Sequence, residues 1–281
     1  KASANGICVS KVAQLLLERG YNVDCLCIRN SQLPDQEYIN GVNVYRINGP
    51  LYNQLSWRVL EGTASKRQIV AHKLIATLNR IKAVLLYPIY PLTSPLFALR
   101  TLIMVEKLYE KEQYDIVVPV FQPFSYLLVG AILKKRHPRL NLVFYYLDIL
   151  SGGVPPKGFS AQWLMKKAYR WEKCFFERAD LLVIMKSYQK HYTRELFEKY
   201  QDKIYYGDFP LLVKNQTTQY KKGNVQENCH LLLAGLVQKN MRNPEYLFAV
   251  ISKLKGYVSI QFDFCGRHDC NELVNNLSKE L

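Results

Sequence analysis

Apolar positions along the chain recur either at helical spacing or in short unbroken runs, the pattern that alternating helices and buried strands produce. From Val9 to Arg19 the apolar residues lie three or four apart, which predicts a helix that ends at Gly20. The stretch 21–28 then predicts a strand. The pair Asn40-Gly41 predicts a tight turn into a further strand over 42–47.

The middle of the chain continues this alternation. The stretch 57–112 is helical in pattern and is interrupted at 87–95, where Ser94 and Pro95 predict an N-cap and a first helical residue. Beyond it, apolar runs predict strands and amphipathic stretches predict helices. The predicted strands cover 114–121, 140–149 and 180–185, and the predicted helices cover 125–137, 161–179 and 187–200.

This order predicts an α/β fold with a mostly parallel sheet covered on both faces, because its strands are apolar throughout and alternate with helices. The polar, turn-rich stretch 214–228 predicts a linker into a second unit. That unit has a strand over 229–235, a helix over 244–254, a strand over 258–266 and a last helix. We therefore predict two domains, 1–212 and 213–281, of which the second is only partly present.

Composition indicates a folded protein with anionic partners. The 281 residues are 49% hydrophobic and 22% charged, and the formal net charge is +15. Such a charge favours nucleic acid, anionic lipid or phosphorylated small molecules. The seven cysteines are scattered mostly through apolar runs, which suits a reduced cytosolic protein rather than a disulfide framework.

The sequence gives no positive indication of a metal. Cys265, His268 and Cys270 lie close together, but no second ligand cluster accompanies them, so core and loop residues are the better interpretation. Asp263 and Asp269 do not form a metal-binding pair. The chain also has no uncharged apolar run of the roughly 18 residues that a membrane span requires.

Two glycine-containing stretches are candidates for phosphate binding. The segment "SANGI" contains Asn5 and Gly6 and predicts a loop before the first helix, where close backbone approach to a ligand is possible. Gly235 follows an apolar run, and Lys239 and Arg242 precede the next helix. The alternatives are an ordinary turn in the first case and a solvated basic loop in the second.

Asp148 lies near the carboxyl end of the predicted strand over 140–149, at the edge where ligands bind in doubly wound folds. There it could bind an acceptor hydroxyl or take its proton. The alternative is a turn or helix-cap aspartate.

The order of these segments resembles that of GT-B fold glycosyltransferases, specifically the retaining family 4. The likeness extends over nearly the whole chain, from the small-residue loop through "LNLVFYYLDI" and "YRWEKCFFERADLLVIM" to "LLLAGLVQKNMRNPEYLF". It implies two Rossmann-like domains that face each other across a cleft, with a first strand missing before the loop. Asp148 matches an aspartate of the family, and Arg242 matches a basic residue before Asn-Pro.

The chain departs from the family at three points. Leu236 stands where the family often has arginine, and Gln122 stands in a loop where some members have histidine, so Gln122 is a possible acceptor-side residue. The family's paired glutamates would lie beyond Leu281.

The resemblance implies a retaining, metal-independent enzyme that needs no cofactor. It would move sugar from a nucleotide-sugar to a lipid-linked or saccharide acceptor during synthesis of bacterial surface or capsular polysaccharide. Its expected location is the cytoplasm, on the inner face of the cell membrane. One alternative is a non-catalytic nucleotide-binding scaffold of the same fold. Another is a basic nucleic-acid-binding protein, but no specific nucleic-acid motif is present.

Peripheral contact with an anionic membrane is a further expectation. The stretch 57–108 interleaves aromatic and aliphatic residues with basic ones, as in surfaces that rest on anionic lipid. An ordinary helix pair with a solvated face explains most of it, and the membrane hypothesis applies mainly to the loop 85–95. The basic residues are Lys66, Arg67, Lys73, Arg80, Lys82 and Arg100.

Overall fold

The computed structural model describes residues 4–29, 33–60, 65–152, 160–208, 228–235, 244–254, 259–265 and 271–279. The chain divides into two compact units, Lys1–Val213 and Lys214–Leu281. Helices alternate with mostly parallel strands, so the predicted α/β class is confirmed.

The described part of the first unit contains α-helices, β-strands and short 3-10 turns. Its helices are Ala4–Leu17 (α1), Leu51–Leu60 (α2), Lys66–Leu85 (α3), Pro95–Glu112 (α4), Phe124–Arg136 (α5), Ala161–Arg178 (α6) and the single turn Gln189–Tyr192 (α7). Its strands are Asp24–Arg29 (β1), Gln36–Ile39 (β2), Val42–Asn48 (β3), Ile116–Val117 (β4), Val120–Phe121 (β5), Asn141–Tyr146 (β6), Leu181–Met185 (β7) and Ile204–Gly207 (β8). Tighter 3-10 turns cover Tyr87–Ile89, Lys186–Tyr188 and Glu195–Lys203.

Strands β1, β3 and β2 form one sheet, in that order. The predicted turn is confirmed, because Asn40 and Gly41 have φ values of 48° and 88° and join β2 to β3 as an antiparallel hairpin. Two central residues with positive φ match the right-handed twist of the flanking strands. Strand β2 itself was not predicted, because only four residues contribute to it and most of them are exposed.

The larger sheet has the order β4-β6-β7-β8, with β5 also paired to β6, and all of these pairs are parallel. The single strand predicted over 114–121 is wrong in detail. Pro119 separates β4 from β5 because proline lacks an N–H for the ladder. Its carbonyl still accepts a hydrogen bond from the Tyr145 N–H at 3.0 Å, so the segment stays on the sheet.

The helix predicted over 187–200 is also wrong, since this segment is two 3-10 turns flanking α7. Tyr192 and Phe197 are both fully buried and both pack on Phe176. In one straight α-helix, residues five apart would point about 140° from each other. The break between the turns allows both rings to reach the same core.

Aromatic side chains dominate that core. Strand β6 is buried on both faces, as expected for a strand in a covered parallel sheet. Its Phe144 and Tyr146 contact rings from α6 and from the segment that follows β7. The core therefore holds α6 firmly against the carboxyl half of the sheet.

The second unit contains a parallel strand pair, Asn228–Ala234 (β9) and Ser259–Cys265 (β10), and the helices Glu245–Leu254 (α8) and Asn271–Ser278 (α9). These agree with the predicted elements to within a few residues. Phe248 of α8 packs edge-on against Phe262 of β10, with ring centroids 5.2 Å apart.

Candidate functional site

The carboxyl ends of β5, β6 and β7 meet at one edge of the larger sheet, because the three strands are parallel neighbours. Gln122 comes directly after β5 and is exposed. Asp148 lies two residues beyond β6 and is half-buried, and the turn Lys186–Tyr188 follows β7. The structure thus brings the Asp148 and Gln122 segments to the same edge.

The start of α1 lies against this edge. Cys8 is buried in a cluster with Tyr145, Leu147 and Met185, the residues at or just beyond the ends of β6 and β7. The predicted loop at Asn5 and Gly6 is wrong, since α1 has already begun at Ala4. Both residues therefore belong to the first turn of a helix.

Burial keeps the Cys8 thiol and the Tyr145 hydroxyl protonated where α1 contacts the end of β6. It raises the pKa of the Cys8 thiol, and it raises the pKa of Tyr145 to about 12, with a smaller contribution from Cys8. Cys8 therefore acts as a small apolar side chain rather than as a nucleophile. Its role is to hold the first turn of α1 near the loop after β6.

Among the described residues, Asp148 has a polar neighbour in the turn that follows β7. The Tyr188 hydroxyl donates to Asp148 Oδ1 at 3.5 Å, a long contact that leaves the carboxylate able to accept from a ligand. Burial, followed by the charge of Asp148, raises the pKa of Tyr188. The phenol therefore remains protonated at neutral pH and is oriented as a donor.

A buried glutamate supports the loop after β6. Glu172 of α6 is completely buried, and its Oε1 accepts from the Tyr192 hydroxyl at 2.6 Å and from the Ser151 N–H at 3.3 Å. Its Oε2 has no hydrogen-bond partner among the described residues. Burial raises the pKa of Glu172 to about 7, although the hydrogen bonds from Ser151 and Tyr192 oppose the shift.

Ser151 connects this glutamate to a histidine. The Ser151 Oγ and the His191 Nε2 are 2.9 Å apart, and burial, followed by the charge of Arg194, lowers the pKa of His191. A nucleophilic triad would place an acid on the far nitrogen of the histidine. In the described hydrogen bonds Glu172 meets the Ser151 N–H instead, and Ser151 is buried. The network therefore fixes the loop that carries Asp148, and its described members are not arranged as a nucleophilic triad.

Sequence reasoning missed Glu172, although a signal existed. Leu164, Ala168, Glu172 and Phe175 follow one another at helical spacing, and all four are buried. A single carboxylate within an otherwise apolar stripe is the mark of a buried polar group that needs partners.

In the second unit, Gly235 directly follows β9. Its φ of 128° lies in the region that favours glycine, and its N–H donates to the Cys265 carbonyl at 2.9 Å. The carbonyl belongs to the end of β10, so Gly235 turns the chain at the carboxyl edge of this strand pair. Lys239 and Arg242 lie outside the described residues.

The described residues contain no group of three or more His, Cys, Asp or Glu side chains that could hold a metal ion. Of the candidate trio, His268 and Cys270 lie outside those residues. Within the described ranges, no helix combines the length and apolar character that crossing a bilayer requires.

The fold and the edge described above define an α/β protein with mostly parallel sheets and polar side chains at the carboxyl ends of strands in the larger sheet. No family model matches the chain, and no curated protein matches it in sequence.

Proposed function

We propose that the protein is a glycosyltransferase with the two-domain GT-B arrangement. It would move a sugar from a nucleotide-sugar to a lipid-linked or saccharide acceptor in surface polysaccharide synthesis, at the cytoplasmic face of the membrane. The supporting observation is the convergence of Asp148, Gln122 and the first turn of α1 at one carboxyl edge of a parallel sheet. Retention of configuration and independence from metal rest on the family resemblance.

In this proposal the bond between the sugar C1 and the diphosphate oxygen breaks, and a bond from C1 to the acceptor oxygen forms. The acceptor hydroxyl loses its proton, and the nucleoside diphosphate leaves with the negative charge. Asp148 binds that hydroxyl or takes the proton, while Gln122 contacts the acceptor. Lys239 and Arg242, with the turn at Gly235, stabilise the charge that develops on the diphosphate.

Calorimetric titration of the full-length protein with UDP, GDP and ADP tests the donor half. We expect one nucleotide to bind saturably and Arg242→Ala to weaken binding about tenfold or more. Nucleotide binding without sugar transfer to any acceptor would favour the non-catalytic scaffold instead. Oligonucleotide binding that is not displaced by nucleotide-sugar would favour the nucleic-acid-binding alternative.

Release of nucleoside diphosphate from the donor tests the acceptor half. Asp148→Asn should leave nucleotide binding unchanged and slow release about a hundredfold or more. Asp202→Asn is the matched control, since Asp202 is exposed after α7 and away from the edge. If Asp148→Asn transfers sugar at the rate of the control, Asp148 has no role in the reaction.

A further inference from the structure

Helix α3 exposes a continuous aliphatic face. Five side chains at separations of three or four residues are between 50% and 73% exposed. On a helix that turns about 100° per residue, they fall within roughly 80° of arc. The five are Val70, Leu74, Leu78, Ile81 and Leu85.

Contacts with α2 hold the opposite side of α3. His72 stacks on Tyr52 with ring centroids 4.9 Å apart, and its Nε2 lies 2.9 Å from the Ser56 Oγ. These contacts fix the rotation of α3, so the aliphatic face points away from α2. Since the described residues leave these five side chains exposed, the face is a candidate for contact with an external partner.

The charged residues of α3 itself are all basic. Residues 62–105 contain no aspartate or glutamate. Lys66 and Lys73 lie beside one border of the aliphatic arc, Lys82 lies beside the other, and Arg67 lies at its N-terminal end. Long basic side chains at the borders of an apolar stripe can reach lipid phosphates while the stripe enters the acyl region.

The loop 85–95, where membrane contact was expected, is less suited to it. Tyr87 stacks on Trp163 with ring centroids 3.8 Å apart, and the Trp171 Nε1–H donates to the Tyr90 carbonyl at 3.1 Å. Pro91 is buried. The loop therefore packs mainly on α6, and the larger exposed apolar surface belongs to α3.

We propose that α3 lies in the surface of an anionic lipid bilayer, with its aliphatic face toward the acyl chains and its basic residues at the headgroups. A second copy of this chain is a poorer partner, because paired α3 helices would bring like charges together. RNA is also poorer, because the face offers aliphatic side chains in place of the aromatic rings on which bases stack.

Co-sedimentation with vesicles tests this proposal. We expect the full-length protein to bind vesicles of equal parts phosphatidylglycerol and phosphatidylcholine, and to bind pure phosphatidylcholine at least tenfold more weakly. The double substitution Leu74→Gln and Leu78→Gln should lower the partition coefficient about tenfold or more. Leu196→Gln with Leu232→Gln is the matched control, since these leucines are exposed elsewhere by 55% and 69%.

A second pair of variants tests how much the basic residues of α3 contribute to vesicle binding. Changing Lys66, Lys73 and Lys82 to glutamine should reduce binding to the anionic vesicles about tenfold or more. Changing three exposed lysines outside α3 removes the same charge and should have a much smaller effect. These control positions are Lys135, Lys173 and Lys190.

Equal binding of the α3 variants and their controls would overturn the proposal. So would a dimer in sedimentation velocity that the α3 leucine substitutions dissociate, because the partner would then be a second copy. The membrane proposal and the glycosyltransferase proposal can be tested independently. The leucine variant should bind its nucleotide as the wild type does, so lost vesicle binding would not count against the donor site.

Discussion

Helices α6 and α3 have similar lengths, and each departs from the usual pattern in which apolar side chains are buried and charged side chains are exposed. Helix α6 buries a carboxylate, Glu172, among aromatic rings, whereas α3 exposes five aliphatic side chains to solvent. Each exception has a cost, which is desolvation for Glu172 and apolar hydration for α3. The cost of burying the carboxylate is partly offset within the fold, by the hydrogen bonds from Ser151 and Tyr192 that fix the loop carrying Asp148. The exposed aliphatic face has no such partner among the described residues, and the membrane surface proposed above would cover it.

The largest expected difference between the two helices is in stability. Phe176→Ala removes a fully buried ring that contacts Tyr146, Tyr192 and Phe197, and should lower the free energy of unfolding by about 3–5 kcal/mol. Leu78→Ala on the exposed face should change it by less than about 0.5 kcal/mol. Urea denaturation measures both values. A large loss for Leu78→Ala would mean that the α3 face is part of the folded core.

The second prediction concerns pH and Glu172. Its pKa in the folded state, about 7, lies above its ordinary value of 4.5, so the folded state binds more protons between these values. Stability should therefore fall as pH rises through this window, by up to about 3 kcal/mol. Tyr146 and Tyr192 do not titrate there, because burial raises the pKa of each well above its usual range.

Comparison of variants isolates this effect. Glu172→Gln keeps an acceptor for the Tyr192 hydroxyl and should remove the fall, so that it is more stable than the wild type at pH 8. His191 works in the opposite direction, since its lowered pKa reduces stability as pH falls below about 6.5. Glu177→Gln, on the exposed side of α6, should retain the pH dependence of the wild type. If Glu172→Gln and Glu177→Gln have the same pH profile, Glu172 is ionised in the fold.

Local signals in the sequence predicted the fold well where one residue decides the backbone. Asn40 and Gly41 specify their turn, and Gly20, with a φ of 85°, ends the first helical segment, although α1 stops three residues earlier. Ser94 does stand at the N-cap position of α4, but its side chain makes no cap hydrogen bond. Boundaries that depend on tertiary packing, such as the break after Tyr192, could not be predicted from helical spacing.

The site was less predictable than the fold. The strand pattern placed Asp148 at a strand end, whereas Gln122 was singled out only through the family resemblance; the parallel pairing of β5, β6 and β7 brings their segments to one edge. The hydrogen bonds that fix the loop carrying Asp148 could not be predicted from the sequence. Glu172, Ser151 and His191 are far apart in sequence and come together only when α6 packs beside β6. The exposure of the α3 face was equally hidden, since an apolar stripe looks the same whether it is buried or not.

The smallest prediction concerns how the two helices begin. At α3 the cap is reciprocal, since the Gln68 N–H donates to Ser65 Oγ at 3.3 Å and the Ser65 N–H donates to Gln68 Oε1 at 2.9 Å. At α6 the Trp163 N–H donates to Ser160 Oγ at 3.5 Å, a longer contact in one direction only. Ser65→Ala should therefore lower the free energy of unfolding by about 1 kcal/mol and Ser160→Ala by less.

Amide hydrogen exchange distinguishes the two caps further. The described contacts of α3 lie on the side of α2, so Ser65→Ala should speed exchange through the first turns of α3. The core contacts of α6 should confine the effect of Ser160→Ala to its first turn. Addition of anionic vesicles should restore protection to α3 in the Ser65→Ala variant if the aliphatic face enters lipid. Restoration of α6 alone would contradict the assignment of the membrane surface to α3.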